Sequence, residues 1–212
     1  TMFKLTFQAF VMMTVVASWL CASVSQAWVK RDTPAWGQLM IKLVVVVFIG
    51  WVGYYSYFGY RDFYGGLKNY QGLDGLAWMQ IESADDYAII NWLRANVHQQ
   101  PVILEAVGES YTTFARISTF SGLPTLLGWR VHEWLWRGGF DIPAQRTEEV
   151  RVIFETPFSS QAQKLIEKYN IQYIILGEKE RQAYPQLDEI SLKKLGKTVF
   201  TSGSSSIIYL GQ

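Results

Sequence analysis

Two long apolar runs near the amino terminus constrain this chain more than any other feature. Residues 7–29 carry no charged side chain, and residues 39–59 carry only Lys42. A helix rises 1.5 Å per residue, so about 20 residues cross the hydrocarbon core of a bilayer. Lys42 sits near the start of its run, where its stem lets the ammonium reach the headgroups. Trp51, Tyr54, Tyr55, Tyr57, Phe58 and Tyr60 crowd the far end, as an interfacial aromatic belt does. Residues 1–60 are therefore expected to form a two-helix membrane segment, with spans of about 7–29 and 39–59 and the lipid bilayer as first partner.

The charges near these runs give an orientation. Lys4, Lys30, Arg31 and Lys42 face only one acidic residue, Asp32, in residues 1–60. Lys30 and Arg31 lie between the two runs. By the positive-inside rule this short loop is cytoplasmic, and both outer ends face outward. That places the chain in the cytoplasmic membrane, with its carboxyl-terminal domain on the outer or periplasmic side. The competing reading of the first run is a cleaved signal peptide, with Lys4 as its basic region and Ser25 and Ala27 as small-residue cleavage positions. The apolar stretch is long for that, and a second span follows closely. Thr1 ahead of Met2 points to a trimmed or truncated chain.

Beyond the spans the pattern changes. Residues 61–76 are rich in Gly and Tyr and read as a connector. Residues 77–212 read as an extracytoplasmic α/β domain, with helices packed on a mixed or parallel sheet. Ser83 and Asp86 resemble a capping box, and Ile89, Ile90, Leu93 and Val97 follow on one helical face. "PVILEAV" at 101–107 and "IQYIILG" at 171–177 are short apolar runs expected as buried strands. Between them Ala162, Leu165, Ile166 and Tyr169 mark an amphipathic helix, which Asn170 can end in a left-handed conformation. "KTVFTSGSSSIIYLG" reads as two strands around a Ser/Gly turn.

Several chemistries are excluded or disfavoured. The net charge of +1 gives no footprint for nucleic acid. One cysteine, Cys21, rules out a disulfide framework, and only two histidines are present. No glycine-rich nucleotide fingerprint, P-loop or G-x-S-x-G elbow occurs. "HEWLW" begins like a zinc-protease motif, but Trp136 stands where the second histidine is required. No metal or cofactor is expected. The acidic pairs Asp85/Asp86 and Glu148/Glu149 are expected at helix starts, where they offset the helix dipole.

The most distinctive stretch is "ESYTTFARISTFSGLPTLLGWRVHEWLWRGG", residues 109–139, which has neither a clean helical nor a strand period. It resembles a signature of the YYY membrane protein family, large polytopic bacterial and archaeal membrane proteins akin to the glycosyltransferase C superfamily. "LDGLAW", "DDYAIINWLRANV", "PVILEAVGESY" and "LIEKYNIQYIILGEKER" occur in matching order, so the resemblance covers residues 73–209. It implies the carboxyl-terminal, extracytoplasmic part of such a protein, and the handling of lipid-phosphate-linked sugars. Family members have many spans before this domain, and the superfamily's catalytic carboxylate lies in an early external loop. This chain has two spans and no such loop, so alone it is not expected to be an enzyme.

Two readings of the signature remain open. In the first it is a ligand site. Trp129, Trp134 and Trp136 stack on sugar rings or lipid headgroups, and Arg116, Arg130 and Arg137 pair with phosphate oxygens. His132 and Glu133 then orient a hydroxyl or move a proton. Matched to the family motif, the candidates are Arg116, Ser118, Trp129, His132, Glu133, Trp134 and Arg137. Glu105, Glu109, Ser110 and Tyr111 join them at the carboxyl end of a strand, where open α/β sheets place ligands. In the second reading the stretch is an irregular docking loop. It makes the chain a non-catalytic accessory subunit of a larger membrane complex, such as an energy-converting or light-harvesting one, with other membrane protein subunits as partners. Gly122, Pro124 and Gly128 then only shape the backbone, and Arg116 pairs with Glu105 or Glu133.

Overall fold

The computed structural model describes residues 2–29, 34–68, 70 and 72–211. The chain divides into two compact units, residues 1–70 and 71–212. The first contains helices α1 (Met2–Val29) and α2 (Ala35–Phe63). Both are long and apolar enough to cross a membrane, over Lys4–Gln26 and Ala35–Phe63. Large apolar side chains such as Trp19, Phe48 and Trp51 stand exposed along them, which is compatible with a lipid environment. Several of their hydroxyls are satisfied locally: Thr14 donates to the Phe10 carbonyl at 2.8 Å, Ser18 to Thr14 at 2.8 Å and Ser56 to Val52 at 3.0 Å.

The second helix runs past the expected span end at 59 and into the expected connector. No proline interrupts it, its internal glycines are tolerated, and aromatic pairs one turn apart, Tyr54–Phe58 and Tyr60–Tyr64, line its last turns. A 3-10 turn at Gly65–Leu67 follows. Lys30, Arg31 and Asp32, on which the orientation rests, lie outside the described residues.

The second unit is an α/β domain. It contains α3 (Met79–Glu82), α4 (Ala84–Asn96), β1 (Val102–Leu104), α5 (Arg116–Ser121), α6 (Arg130–Arg137) and α7 (Asp141–Glu155). It continues with α8 (Ser160–Tyr169), β2 (Ile171–Leu176), α9 (Glu178–Ala183), α10 (Glu189–Leu195), β3 (Lys197–Ser202) and β4 (Ser205–Tyr209). The sheet order is β1-β2-β4-β3. β1 and β2 are parallel, while β4 runs antiparallel to both β2 and β3. The β3 edge strand slips register between Thr198 and Phe200. At the opposite edge, Ile103 of the short β1 forms a further bridge to Thr125.

Alternation along the strands feeds two cores, one on each sheet face. Leu104, Ile174, Leu176 and Ile208 pack with Val150, Ile153 and Phe154 of α7, Leu165 and Ile166 of α8, and Leu192 of α10. Ile103, Ile175 and Ile207 pack with Met79 of α3, Ile89, Ile90 and Leu93 of α4, and Ile117 of α5. Helices therefore cover both faces of a mixed sheet, as the sequence pattern predicts.

Local signals account for many of the ends. The Ser159 side chain caps α8 by accepting from Ala162 N at 3.1 Å, and Asn170 closes it at φ 49°, ψ 49°. The β3–β4 turn is held from outside: Asp85 accepts from Ser202 Oγ and from Ser204 N, each at 3.1 Å.

Three expectations are corrected. The Ser83/Asp86 capping box does not form, because Ser83 makes no side-chain cap bond and Asp86 turns inward to Arg116. Glu148 and Glu149 lie well inside α7, not at its start; that helix begins at Asp141 and admits Pro143 in its first turn, where no N–H is required. Glu149 instead accepts from Tyr169 Oη at 2.6 Å and Lys168 Nζ at 3.0 Å, tying α7 to α8. Residues 130–137, expected as irregular, are helical.

Ile174 has no exposed surface, whereas Ile190 on α10 is 71% exposed. Ile174→Ala is expected to cost the domain about 2–5 kcal/mol, and Ile190→Ala less than about 0.5 kcal/mol. Denaturant midpoints of the two variants check this.

Candidate functional site

The site begins at the amino end of α5, whose first N–H groups have no partner within the helix. Glu105, just past β1, supplies one. Its carboxylate accepts from Ile117 N at 3.0 Å and from Ser118 N at 2.9 Å. Glu105 is 1% exposed. Burial pushes its carboxyl above the ordinary value, against the opposing effect of the Ser118 hydrogen bonds and the Arg116 charge.

Arg116 is itself buried. It pairs bidentately with Asp86 of α4, Nε to Oδ2 at 2.5 Å and Nη2 to Oδ1 at 2.8 Å. Its Nη2 also lies 3.6 Å from Oε2 of Glu180 on α9. Burial alone would lower the guanidinium's pKa; the Asp86 hydrogen bonds and the charges of Glu180, Asp86 and Glu105 outweigh it and hold it above the ordinary value. Glu180 Oε1 accepts from Ala106 N at 2.9 Å, binding α9 to the chain after β1. Arg116 thus pairs with neither of the partners expected from sequence. Glu105 is occupied by backbone N–H groups, and Glu133 lies on α6 beside Arg137.

The chain from Glu109 to Ala115 joins this network to an open cleft. Two of its residues, Tyr111 (φ 61°) and Ala115 (φ 59°), occupy the left-handed region that side chains avoid. Such strain gathers at functional sites, where surrounding contacts enforce it. Those contacts are present. Glu109 pairs with Arg130, Ser110 Oγ and His132 Nδ1 share a hydrogen bond at 2.8 Å, and Trp129 Nε1 donates to the Phe114 carbonyl at 2.9 Å. The Tyr111 ring lies 4.9 Å from the His132 ring, and Trp129 lies 5.2 Å from it, both edge-on. Gly108 admits this path, since a Cβ there would lie 2.1 Å from the Phe114 ring.

The cleft has a volume of about 560 Å³ and is lined by Ala115, Ser118, Thr119, Gly128, Trp129, His132, Glu133, Trp136 and Arg137. Its surface is largely apolar, with two indole rings and a few converging polar groups. Ser118 and Thr119 both donate to the Ala115 carbonyl, at 3.2 and 2.6 Å, and keep lone pairs that can accept from a ligand. Among the predicted residues, Ser118, Trp129, His132, Glu133, Trp136 and Arg137 line the cleft. Arg116 and Glu105 lie in the buried network, and Glu109, Ser110 and Tyr111 in the strained loop. Trp134 instead faces Phe140, with ring centroids 5.5 Å apart. The sequence reading missed Ala115 and Thr119 as lining residues, and Asp86 and Glu180 as the partners of Arg116.

The three arginines assigned to phosphate each face a carboxylate: Arg116 faces Asp86, Arg130 faces Glu109, and Arg137 faces Glu133. Arg137–Glu133 is a half-exposed pair one helical turn apart, held weakly enough to rearrange around an anion. The buried Arg116 pair is not. Among the described residues no cluster of His, Cys, Asp and Glu is arranged to hold a metal ion.

Asp86→Ala leaves a buried guanidinium without its main partner and is expected to cost about 3–5 kcal/mol; Arg137→Ala should cost less than about 1 kcal/mol. Urea midpoints decide. The raised Glu105 carboxyl also gives a pH signature. The folded state keeps a proton there that the unfolded chain has already released. The stability from this group is full below the ordinary carboxyl pKa and is lost as pH rises through the raised one. Glu105→Gln should flatten that fall in the stability–pH profile; a profile parallel to the parent's would contradict it. No family model matches the chain, and neither a curated protein nor a solved structure matches it.

Proposed function

We propose that this chain is a membrane-anchored domain, held on the outer face of the cytoplasmic membrane by α1 and α2, whose α5–α6 cleft receives the sugar of a lipid-phosphate-linked sugar. In this reading it is the carboxyl-terminal part of a glycosyltransferase C-like system, binding a substrate on which another subunit or segment acts. The observation that carries it is the composition of the cleft: the indoles of Trp129 and Trp136 beside the hydroxyls of Ser118 and Thr119 and the ring of His132. Flat aromatic faces suit the C–H faces of a pyranose, and a few fixed polar groups then set its orientation. Glu133–Arg137 at the rim supplies the group that can turn toward a phosphate.

A second reading is favoured by a different observation. The arginines are already paired, and the apolar residues that follow the cleft are exposed. A non-catalytic accessory subunit docking through this face has the same features.

The test is a titration of the full chain in nanodiscs with a polyprenyl-phosphate sugar. Trp136→Ala and His132→Ala are each expected to weaken binding at least about tenfold, a loss of about 1.4 kcal/mol, with the domain still folded at the assay temperature. Equal affinity in parent and variants removes the sugar reading. If Trp134→Ala then releases the chain from its native particle, the accessory-subunit reading takes its place.

A further inference from the structure

The last turn of α6 and the first turn of α7 leave five large apolar side chains in solvent between positions 134 and 142. Trp134 is 42% exposed, Leu135 68%, Trp136 70%, Phe140 45% and Ile142 52%. The other exposed large apolar residues of this unit, Leu73, Ile81, Tyr111, Phe158 and Ile190, are scattered along the chain. The ledge is not a core left open. The sheet's two faces have their own closed cores, and α6 contributes no buried residue to either. Its fixed part is the Trp134–Phe140 pair, stacked edge-on, with Gly138, at φ 77°, ending α6 in the left-handed conformation between them. Trp136, about 200° around α6 from Trp134, faces the cleft instead.

We propose that this ledge inserts into the interfacial layer of the lipid bilayer. The proposal rests on the membrane anchoring stated above and goes beyond it by assigning a second, peripheral contact to the folded domain. One observation favours lipid over a protein surface. The residue set alone, indole, phenyl and aliphatic side chains with Asp141 among them and Arg137 paired to Glu133 at the edge, suits either. The domain, however, is covalently continuous with α2, whose carboxyl-terminal turns carry an aromatic belt of Tyr54, Tyr55, Tyr57 and Tyr60. A surface tethered to a membrane meets lipid at high effective concentration, so a shallow apolar contact suffices to hold it there.

Trp136 lines the cleft on the side of α6 opposite Trp134. Ledge and cleft are thus separated by one helix diameter, about 10 Å.

Site-directed spin labelling tests this in the full chain, one copy per phosphatidylcholine nanodisc. Cys21 is first replaced by serine, and single labels are placed through Leu135→Cys, Val46→Cys or Ile190→Cys. Val46 lies mid-helix in α2, and Ile190 is an exposed residue of the folded domain. Collision rates with oxygen and with a water-soluble nickel chelate are then measured. The Leu135 label is expected to shift more than half of the way from the Ile190 value toward the Val46 value. Trp134→Asp on the Leu135-labelled chain is expected to return it to the Ile190 value. A Leu135 label as accessible to nickel as that at Ile190 overturns the proposal. So does one shielded from both reagents, which means protein of the chain itself, not lipid, covers the ledge. If the Val46 label itself lacks the lipid signature, the anchoring reading fails, and with it this one. A lipid signature at Val46 without one at Leu135 removes only the docking.

Discussion

The buried guanidinium of Arg116 is the constraint around which the second unit is arranged. It stands at the start of α5 and reaches Asp86 on α4 and Glu180 on α9, while Glu105 after β1 caps its own helix. Four separate pieces of chain are thereby drawn together: α4 by the bidentate Asp86 hydrogen bonds, α9 by the Glu180 charge 3.6 Å away, and the chain after β1 by the Glu105 cap, in a place where water does not screen them. A pair of this kind adds little net stability compared with an apolar replacement, but it tolerates the loss of neither member. Its effect is positional. It sets the direction of α5, and α5 supplies Ala115, Ser118 and Thr119 to the cleft.

Much of this fold is legible in the sequence because it follows from periodicity. The two apolar runs, the face of α8 and the hairpin of β3 and β4 are all local patterns whose physical cause lies within a few residues. What stays hidden depends on partners far along the chain. Asp86 looks like a helix cap until Arg116, thirty positions later, is seen beside it. Glu149 looks like a dipole partner until Tyr169 and Lys168 claim it. α6 carries a helical period, with Val131, Trp134 and Leu135 on one side and Arg130, Glu133 and Arg137 on the other, but it spans only two turns between Gly128 and Gly138 and buries no residue, so the signal is short and lost among the flanking Gly and Pro.

The candidate site divides in the same way. Its large residues, Trp129, His132, Trp136 and Arg137, are conspicuous in sequence because aromatic and cationic side chains are concentrated there. Its small ones are not. Ala115 lines the cleft because its left-handed backbone turns the chain into α5, and Thr119 because it follows one helical turn later. Nothing in an alanine announces a positive φ. The conspicuous residues carry the proposal of a sugar ligand; the geometry supplies the cleft in which that proposal can be tested.

The sheet ends bluntly on both sides. At one edge β1 is three residues long and Ile103 is already bridged to Thr125; at the other, β3 begins with Lys197 and slips register between Thr198 and Phe200. Neither border offers a long, flat row of free amides to a neighbouring sheet. On the membrane-anchored reading proposed above, this matters more than it does in bulk solution. Confinement to a plane raises encounter rates between identical domains, and on that reading blunt borders let copies share a membrane without fusing laterally.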